Sequence, residues 1–372
     1  MDGEMVYLKL YDVGRHVDVS AVVGELSGSQ PVTTTVTKDT SPNISLPRPI
    51  IVELESHQHS DSPFFKSATL SAKIYEDGVI TFIARLQFEE LPWDQLHALK
   101  KTEFYTDEKK KIDMFGWIDE HFTEMINRID KFIDKEYYEL FTPEFETYAA
   151  YCITSNEGDP GEFVRAHQDY IASFLQGDAP EVKYHPSQIK QTLDNPFSYL
   201  ENDLVIFDLD RCIILDPNKD YEDILLVAEL ANYQVLELAT LDQVLDHELD
   251  VAEDELRIIF SRTRKPFRYL SRKIGKKVGE LRKLRVDMTF ILENIENSSK
   301  LIGDFYLAQI YRHVGELFRL KDWSNSIRSR LDALDSVYNT TKTDINETML
   351  LWIEIFFLFL FGFEFIISFV HF

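Results

Sequence analysis

From Tyr221 onward apolar residues recur in steps of three and four: Ile224, Ala228, Ala231, Val235, Leu238, Leu241, Leu245, Leu249, Ala252, Leu256 and Ile259. This is the a/d seam of a coiled coil. It predicts a single helix of about 40 residues, some 60 Å long at roughly 1.5 Å per residue, with Pro266 ending it. A second helix is predicted from near Arg268, carrying Ile274, Val278, Leu281, Leu284, Met288, Ile291 and Ile295 at the same spacing. Gly303 and Asp304 predict a cap, and a short segment, Phe305 to Leu320, follows. Asp322 is placed as the cap of a third long helix with Trp323, Ile327, Leu331, Leu334, Tyr338 and Ile345 on one stripe. Stripes of this length must be buried against one another or against copies from other subunits. An intramolecular bundle and an oligomeric coiled coil are expected together.

No Pro or Gly separates the third helix from Met349–Phe372, MLLWIEIFFLFLFGFEFIISFVHF. That run contains no Lys, Arg or Asp, and about 20 such residues cross a hydrocarbon layer. Eight Phe and a Trp with no polar face predict a transmembrane helix. The opening residues hold no apolar run of signal-peptide length. The expected topology is a single-pass C-terminal anchor with the bulk of the chain in the cytosol. Two carboxylates, Glu354 and Glu364, interrupt the span, and each should face water, headgroups or a partner helix. They are read as a ring lining a pore or as interfacial or protonated carboxyls. Asp332, Asp335, Asp344 and Glu347 beside Lys342 give the positive-inside rule little to act on.

Residues 1–215 mix strand and helix patterns and predict one α+β domain. Val6–Leu10 and Tyr148–Ile153 read as strands; Leu70–Ile74 and Val79–Leu86 form a hairpin around Asp77-Gly78. Gly116–Tyr138 and Phe163–Leu175 have helical spacing. Residues 27–63, rich in Ser, Thr and Pro, predict a flexible loop. The expected order is therefore an α+β domain over 1–215, a helical bundle or coiled-coil stalk over 220–348, and a transmembrane anchor over 349–372.

Charge refines this picture. Lys plus Arg number 39 against 64 Asp plus Glu, a formal charge of −25, which argues against nucleic acid or anionic lipid as partners for the bulk of the chain. One stretch departs from the acidic rule. Arg262, Arg264, Lys265, Arg268, Arg272, Lys273, Lys276, Lys277, Arg282, Lys283 and Arg285 surround a single acid, Glu280. It could meet headgroups, RNA, or the acidic face of a neighbouring subunit; otherwise it is a solvated face offset against the acidic first helix. Cys152 and Cys212 form no CxxC pair and suit a reducing compartment.

Candidate chemistry is sparse. His57 and His59 form an HxH pair without an evident third ligand, so no metal site is predicted. Val205–Ile214, VIFDLDRCII, resembles the first motif of haloacid-dehalogenase-type phosphatases. Asp208 would be nucleophile and Asp210 acid/base, with Mg²⁺ offsetting their charge. Arg211 and Cys212 replace the expected small residue and hydroxyl, and the same residues make a plain hairpin. No P-loop, GxGxxG, HExxH or GxSxG occurs. Neither cofactor nor catalysis is expected.

The C-terminal part resembles the "required for meiotic nuclear division" family of membrane proteins. The resemblance rests on AELANYQVLELATLDQVLDHELD (Ala228–Asp250), VGELRKLR (Val278–Arg285), IGDFYLAQIYRH (Ile302–His313), the helix from Trp323, and Trp352-Ile353-Glu354 in the span. The family's basic residues just before the span are replaced here by Asp344 and Glu347. The resemblance implies an oligomeric membrane scaffold without catalytic residues. The leading expectation is thus a homo-oligomeric, membrane-tethered scaffold or sensor whose head recognises a protein or small ligand. The alternative is a channel with a CorA-like layout lined by the C-terminal helices, and the phosphatase comes third.

Overall fold

The computed structural model describes residues 1–28, 31–33, 49–105, 110–135, 144–155, 158–178, 182–261 and 304–370. Between 262 and 303 it describes only residues 276, 279, 283–286, 288–290, 292 and 293. The chain divides into two units, Met1–Thr240 with Ile295–Lys321, and Leu241–Asn294 with Asp322–Phe372.

The strands of the first unit are β1 (Gly3–Asp12), β2 (His16–Val17), β3 (Val32–Thr33), β4 (Ile50–His57), β5 (Phe65–Ile74), β6 (Val79–Phe88), β7 (Glu103–Tyr105), β8 (Lys111–Asp113), β9 (Ile133–Asp134), β10 (Phe145–Ile153), β11 (Leu204–Phe207) and β12 (Arg211–Leu215). Eight form one sheet in the order β11-β12-β10-β1-β6-β5-β4-β3. Every pairing in it is antiparallel except β10 with β12. β1 lies inside the sheet and sends Met5, Tyr7 and Tyr11 to one core and Val6, Leu8 and Leu10 to the other. Both faces of this strand are covered, so its sequence is apolar almost without alternation.

The first face packs against α1 (Val19–Leu26), α2 (Met114–Ile129), α3 (Pro160–Ala166) and α4 (Gln168–Leu175); α5 (Pro186–Thr192) follows in the chain. The second face packs against the first half of α6 (Glu222–Ser261) and against α7 (Phe305–Leu317). Asp18, Asp113 and Asp304 cap α1, α2 and α7 by accepting bonds from backbone N–H groups. The β5–β6 hairpin turns at Gly78, whose φ of +97° and contact with the Gly14 carbonyl exclude a side chain.

In the second unit lie residues 241–261 of α6, the helical residues between 276 and 293, and α8 (Leu320–Val370) from Asp322 onward. Leu241, Leu245, Leu284, Met288, Ile327 and Leu334 are buried. Arg330 forks onto Asp242 and Asp246, and Arg285 onto Asp332 (2.8 Å) and Asp335 (2.9 Å). All three helical segments are thereby joined.

Several expectations change. The loop placed at 27–63 contains β3 and β4, and β4 pairs with β5 from Ile50 to His57; residues 29–30 and 34–48 lie outside the described ones. The helix expected to reach Tyr138 ends at Ile129, because Ile133 and Asp134 are drawn into pairing with β2. His167, with φ −118°, splits the helix expected over Phe163–Leu175 in two. α8 starts at Leu320, after Arg319 turns at φ +55°, so Asp322 stands in its first turn rather than at its cap. The domain boundary at 215 is passed as well, since α6 up to Thr240 and all of α7 belong with the sheet. In this half α6 buries more than an a/d seam: Leu225, Val227, Leu230 and Leu236 are buried, and so are Glu229, Asn232, Gln234 and Glu237.

Candidate functional site

Asp208 and Asp210 sit in the turn between β11 and β12, where Asp208 N–H donates to the Arg211 carbonyl at 2.8 Å. Their carboxylates are engaged by the protein itself. Gln176 Nε2 and Leu209 N–H donate to Asp208 (3.0 and 2.7 Å), and the Arg211 guanidinium grips Asp210 at 2.8 and 2.6 Å. Burial pushes the Asp208 carboxyl up; at Asp210 burial acts the same way, but the bonds and charge of Arg211 together with the charge of Lys100 hold the carboxyl down. β11 is an edge strand paired antiparallel. The geometry is that of a closed hairpin.

His57 ends β4 buried, while His59 lies beyond the strand and is exposed, so the HxH pair does not converge. A different cluster forms around Glu55. Its Oε2 accepts from Trp117 Nε1 (2.7 Å) and lies 3.1 Å from His57 Nε2 and 3.4 Å from His121 Nε2. A cavity of about 10 Å³, room for one water, borders His121 between Leu26, Leu54, Glu124, Met125 and Arg128. Among the described residues no group of three or more His, Cys, Asp or Glu is arranged to hold a metal ion. Cys152 and Cys212 are free thiols in the core, and burial pushes both up, Cys212 to about 12.

The most strongly perturbed groups lie where α6 crosses the second face of the sheet. Arg85 bridges Glu4 (2.8 Å) and Glu222 (2.7 Å), and the Tyr221 hydroxyl donates to Glu4 at 2.9 Å. Two turns along the helix, Glu229 takes Lys73 and the Tyr75 hydroxyl, the latter at 2.8 Å. One turn further the Tyr233 hydroxyl donates to Asp77. Glu237 comes last, 4 % exposed. Burial and then the charges of Asp12 and Asp77 push its carboxyl well above the usual range. Burial also raises Asp77, against the opposing Tyr233 bond. The sheet-facing side of α6 therefore carries a line of ionisable groups that begins in ion pairs and ends at two acids, Asp77 and Glu237, whose carboxyls burial raises. Sequence reasoning missed it because the apolar steps of three and four account for the helix by themselves, and the polar groups lie interleaved with Ile224, Ala228 and Ala231 on the same face. The signal was present in the spacing of Glu222, Glu229, Tyr233 and Glu237.

Of the two carboxylates singled out in the expected span, Glu354 is exposed; the Glu364 side chain lies outside what is described. Eleven large apolar side chains from Leu350 to Phe361 are exposed, between 40 % (Ile353) and 77 % (Phe359). Among the described residues Glu222–Val251 is the one helix that passes as a span by length and composition, with 78 % of its apolar window buried, and Leu350–Gly362 is a shorter apolar stretch. In the basic stretch Lys276 and Lys283 are exposed, and Arg285 is paired with α8. Arg262, Arg264, Lys265, Arg268, Arg272, Lys273, Lys277 and Arg282 lie outside the described residues.

Comparison with known proteins adds a family and no activity. No solved structure matches the chain. The uncharacterized protein MJ0711 of Methanocaldococcus jannaschii is 25 % identical over 256 residues, covering 66 % of this chain and 71 % of that one. The family described as "Uncharacterized protein MJ0711, N-terminal domain" matches residues 2–222, which takes in all twelve strands. On that match, across more than half its length, the chain belongs to the MJ0711 N-terminal domain family.

Proposed function

We propose that the protein is a membrane-tethered scaffold that assembles with copies of itself. Its α+β head stands in the cytosol and α8 crosses the bilayer from Met349. The head serves as the recognition module, for a protein or a small ligand.

The observation that carries this reading is the exposed apolar length of α8. A side chain of this size gains roughly 1.5–3 kcal/mol when fully removed from water. For the eleven between Leu350 and Phe361, at their observed exposure, the total exceeds about 10 kcal/mol. An apolar face of this extent on one helix suits lipid. Glu222–Val251, by contrast, is held in the protein by ion pairs to Arg85 and Lys73. Self-assembly is supported by Val286, Phe290 and Val337, which remain 67, 63 and 41 % exposed in the helical unit. The C-terminal resemblance to the meiotic nuclear division family points the same way. The two free core thiols suit a reducing compartment.

Carbonate extraction of membranes and light scattering in detergent test both halves, on the full chain beside a chain ending at Asn346. The full chain should stay with the membrane and the shortened one should be released, with the same subunit number in both. Release of the full chain by carbonate would refute the tether, and a monomeric mass would refute the assembly. A mass of four or more subunits would justify conductance recordings for the channel.

A further inference from the structure

The loop between α5 and β11 presents apolar side chains on a backbone that is tied down. Phe197 exchanges two backbone bonds with Val205 of β11, at 2.9 and 2.8 Å, and its ring centre lies 5.2 Å from that of His313 on α7. The Asp203 carboxylate accepts from the N–H groups of Tyr199 (2.7 Å) and Leu200 (3.1 Å), and the Ser198 hydroxyl donates to the Leu200 carbonyl at 2.7 Å. Tyr199 and Leu200 nevertheless stand 68 and 47 % exposed. The Tyr199 ring packs at 5.2 Å against Tyr306, in the first turn of α7, and Phe305 beside it is 78 % exposed. All of these residues belong to the unit Met1–Thr240 with Ile295–Lys321.

The surroundings are acidic. Burial, and then the charges of Asp203, Asp216 and Asp304, push the Tyr306 hydroxyl up, so three carboxylates act on the side chain against which Tyr199 packs. Asp216 and Asp304 are fixed by backbone N–H groups. Asp216 accepts from Asn218 (2.8 Å) and Asp220 (2.6 Å), and Asp304 from Leu307 (3.0 Å). Glu201, in the same loop as Tyr199, is exposed as well. An aromatic face carries negative potential of its own, so exposed rings among carboxylates attract cations and disfavour anions.

Area and charge together narrow the occupant. An aromatic side chain offers about 150–250 Å², so Phe305 and Tyr199 at their observed exposure present roughly 300 Å² between them. An interface between folded partners takes about 800 Å² on each side, so the patch suits a short segment better than a second copy. Face to face, two copies would also set acid against acid, at a formal charge of −25 each. We infer that the patch formed by Tyr199, Leu200 and Phe305 docks a short segment of another protein that carries Lys or Arg among apolar residues. The basic side chains of that segment take the exposed rings of Tyr199 and Phe305, and its apolar side chains cover Leu200. The inference rests on the head being a recognition module, and it names what the head recognises.

The full chain in neutral phosphatidylcholine discs is titrated against a fluorescein-labelled octapeptide of alternating arginine and leucine, read by anisotropy with empty discs subtracted. Phe305→Ala and Tyr199→Ala should each weaken binding by about tenfold, one cation–π contact and the partial burial of one ring together. Leu209→Ala, at an exposed apolar position in the β11–β12 turn, should leave binding unchanged. Raised salt should weaken binding to the unaltered chain. Circular dichroism checks that each variant keeps the fold. Undiminished binding by both aromatic variants would mean that the overall acidity of the chain holds the peptide. That result would overturn the patch and leave a head that recognises basic segments elsewhere. Equal affinity for an octapeptide of alternating glutamate and leucine would overturn the charge argument. Equally tight binding of spermine, lost in the same variants, would replace the protein segment with a small cation. A fall in subunit number on Phe305→Ala would make the patch an interface between copies and overturn the inference too. Failure of the peptide to bind any form would overturn it outright, while carbonate extraction and light scattering still decide the tether and the assembly on their own.

Discussion

Replacing Glu237 by Gln should change how the stability of the head depends on pH. Glu237 is 4 % exposed, and burial, Asp12 and Asp77 together keep its carboxyl protonated well above the usual carboxylate range. In the unfolded chain the same group titrates near pH 4.3. Its folded pKa is raised, so its contribution to stability is complete below the unfolded value and is lost as pH rises through the folded one. Where the folded carboxyl holds its proton and the unfolded one does not, stability falls by about 1.4 kcal/mol per pH unit. Gln has nearly the same shape and does not titrate. Denaturant unfolding of the full chain in detergent, followed by tryptophan emission, gives the stability of both proteins at each pH. The advantage of Glu237→Gln should grow as pH rises from the unfolded value towards the raised folded one. Asp77 is raised as well and remains in the variant, so a shallower slope of the same sign should persist. If the two curves run parallel, the carboxyl is ionised in the fold and the account of the seam is wrong.

The β5–β6 turn gives a second test. Gly78→Ala places a Cβ against the Gly14 carbonyl at a φ of +97°, and should cost about 1–3 kcal/mol, read as a lowered Tm. Arg330→Ala removes the fork onto Asp242 and Asp246 and leaves two acids together on α6; the helical unit should lose about 1 kcal/mol, seen as faster amide exchange around residues 242–246. Unchanged exchange there would mean that apolar packing alone holds the bundle.

The parts legible in the sequence were those whose pattern has a single local cause. The Asp77-Gly78 turn sits between two alternating runs, and the structure builds β5 and β6 around it. The 40 residues of α6 follow from its unbroken apolar steps. β4 was hidden because IIVELESH lies among Ser, Thr and Pro, whereas its strand character comes from pairing with β5. The clusters were harder still. Trp117 and His121 come from a helix and Glu55 and His57 from a strand sixty residues earlier, so only the fold brings them together. Likewise Asp12, Asp77 and Glu237 come from three distant parts of the chain. Periodicity shows which residues share a face, and it says nothing of what that face meets.

The polar seam also explains how α6 can be placed on the sheet without ambiguity. Its apolar contacts to the second face include the small Ala228 and Ala231, which would tolerate a shift along the axis. A slip of one turn, about 5.4 Å, would keep much of the apolar burial. It would also carry Glu229 away from Lys73, leaving a buried charge unpaired, and Tyr233 from Asp77, besides breaking the more exposed Glu222–Arg85 pair. Uncompensating a buried pair costs about 3–5 kcal/mol. The ion pairs therefore contribute little net stability while making every other register expensive. Glu237 fits the same logic, since a protonated carboxyl beside Asp12 and Asp77 is tolerated only where its proton is retained. The registry is set by groups that a reading of hydrophobic spacing alone passes over.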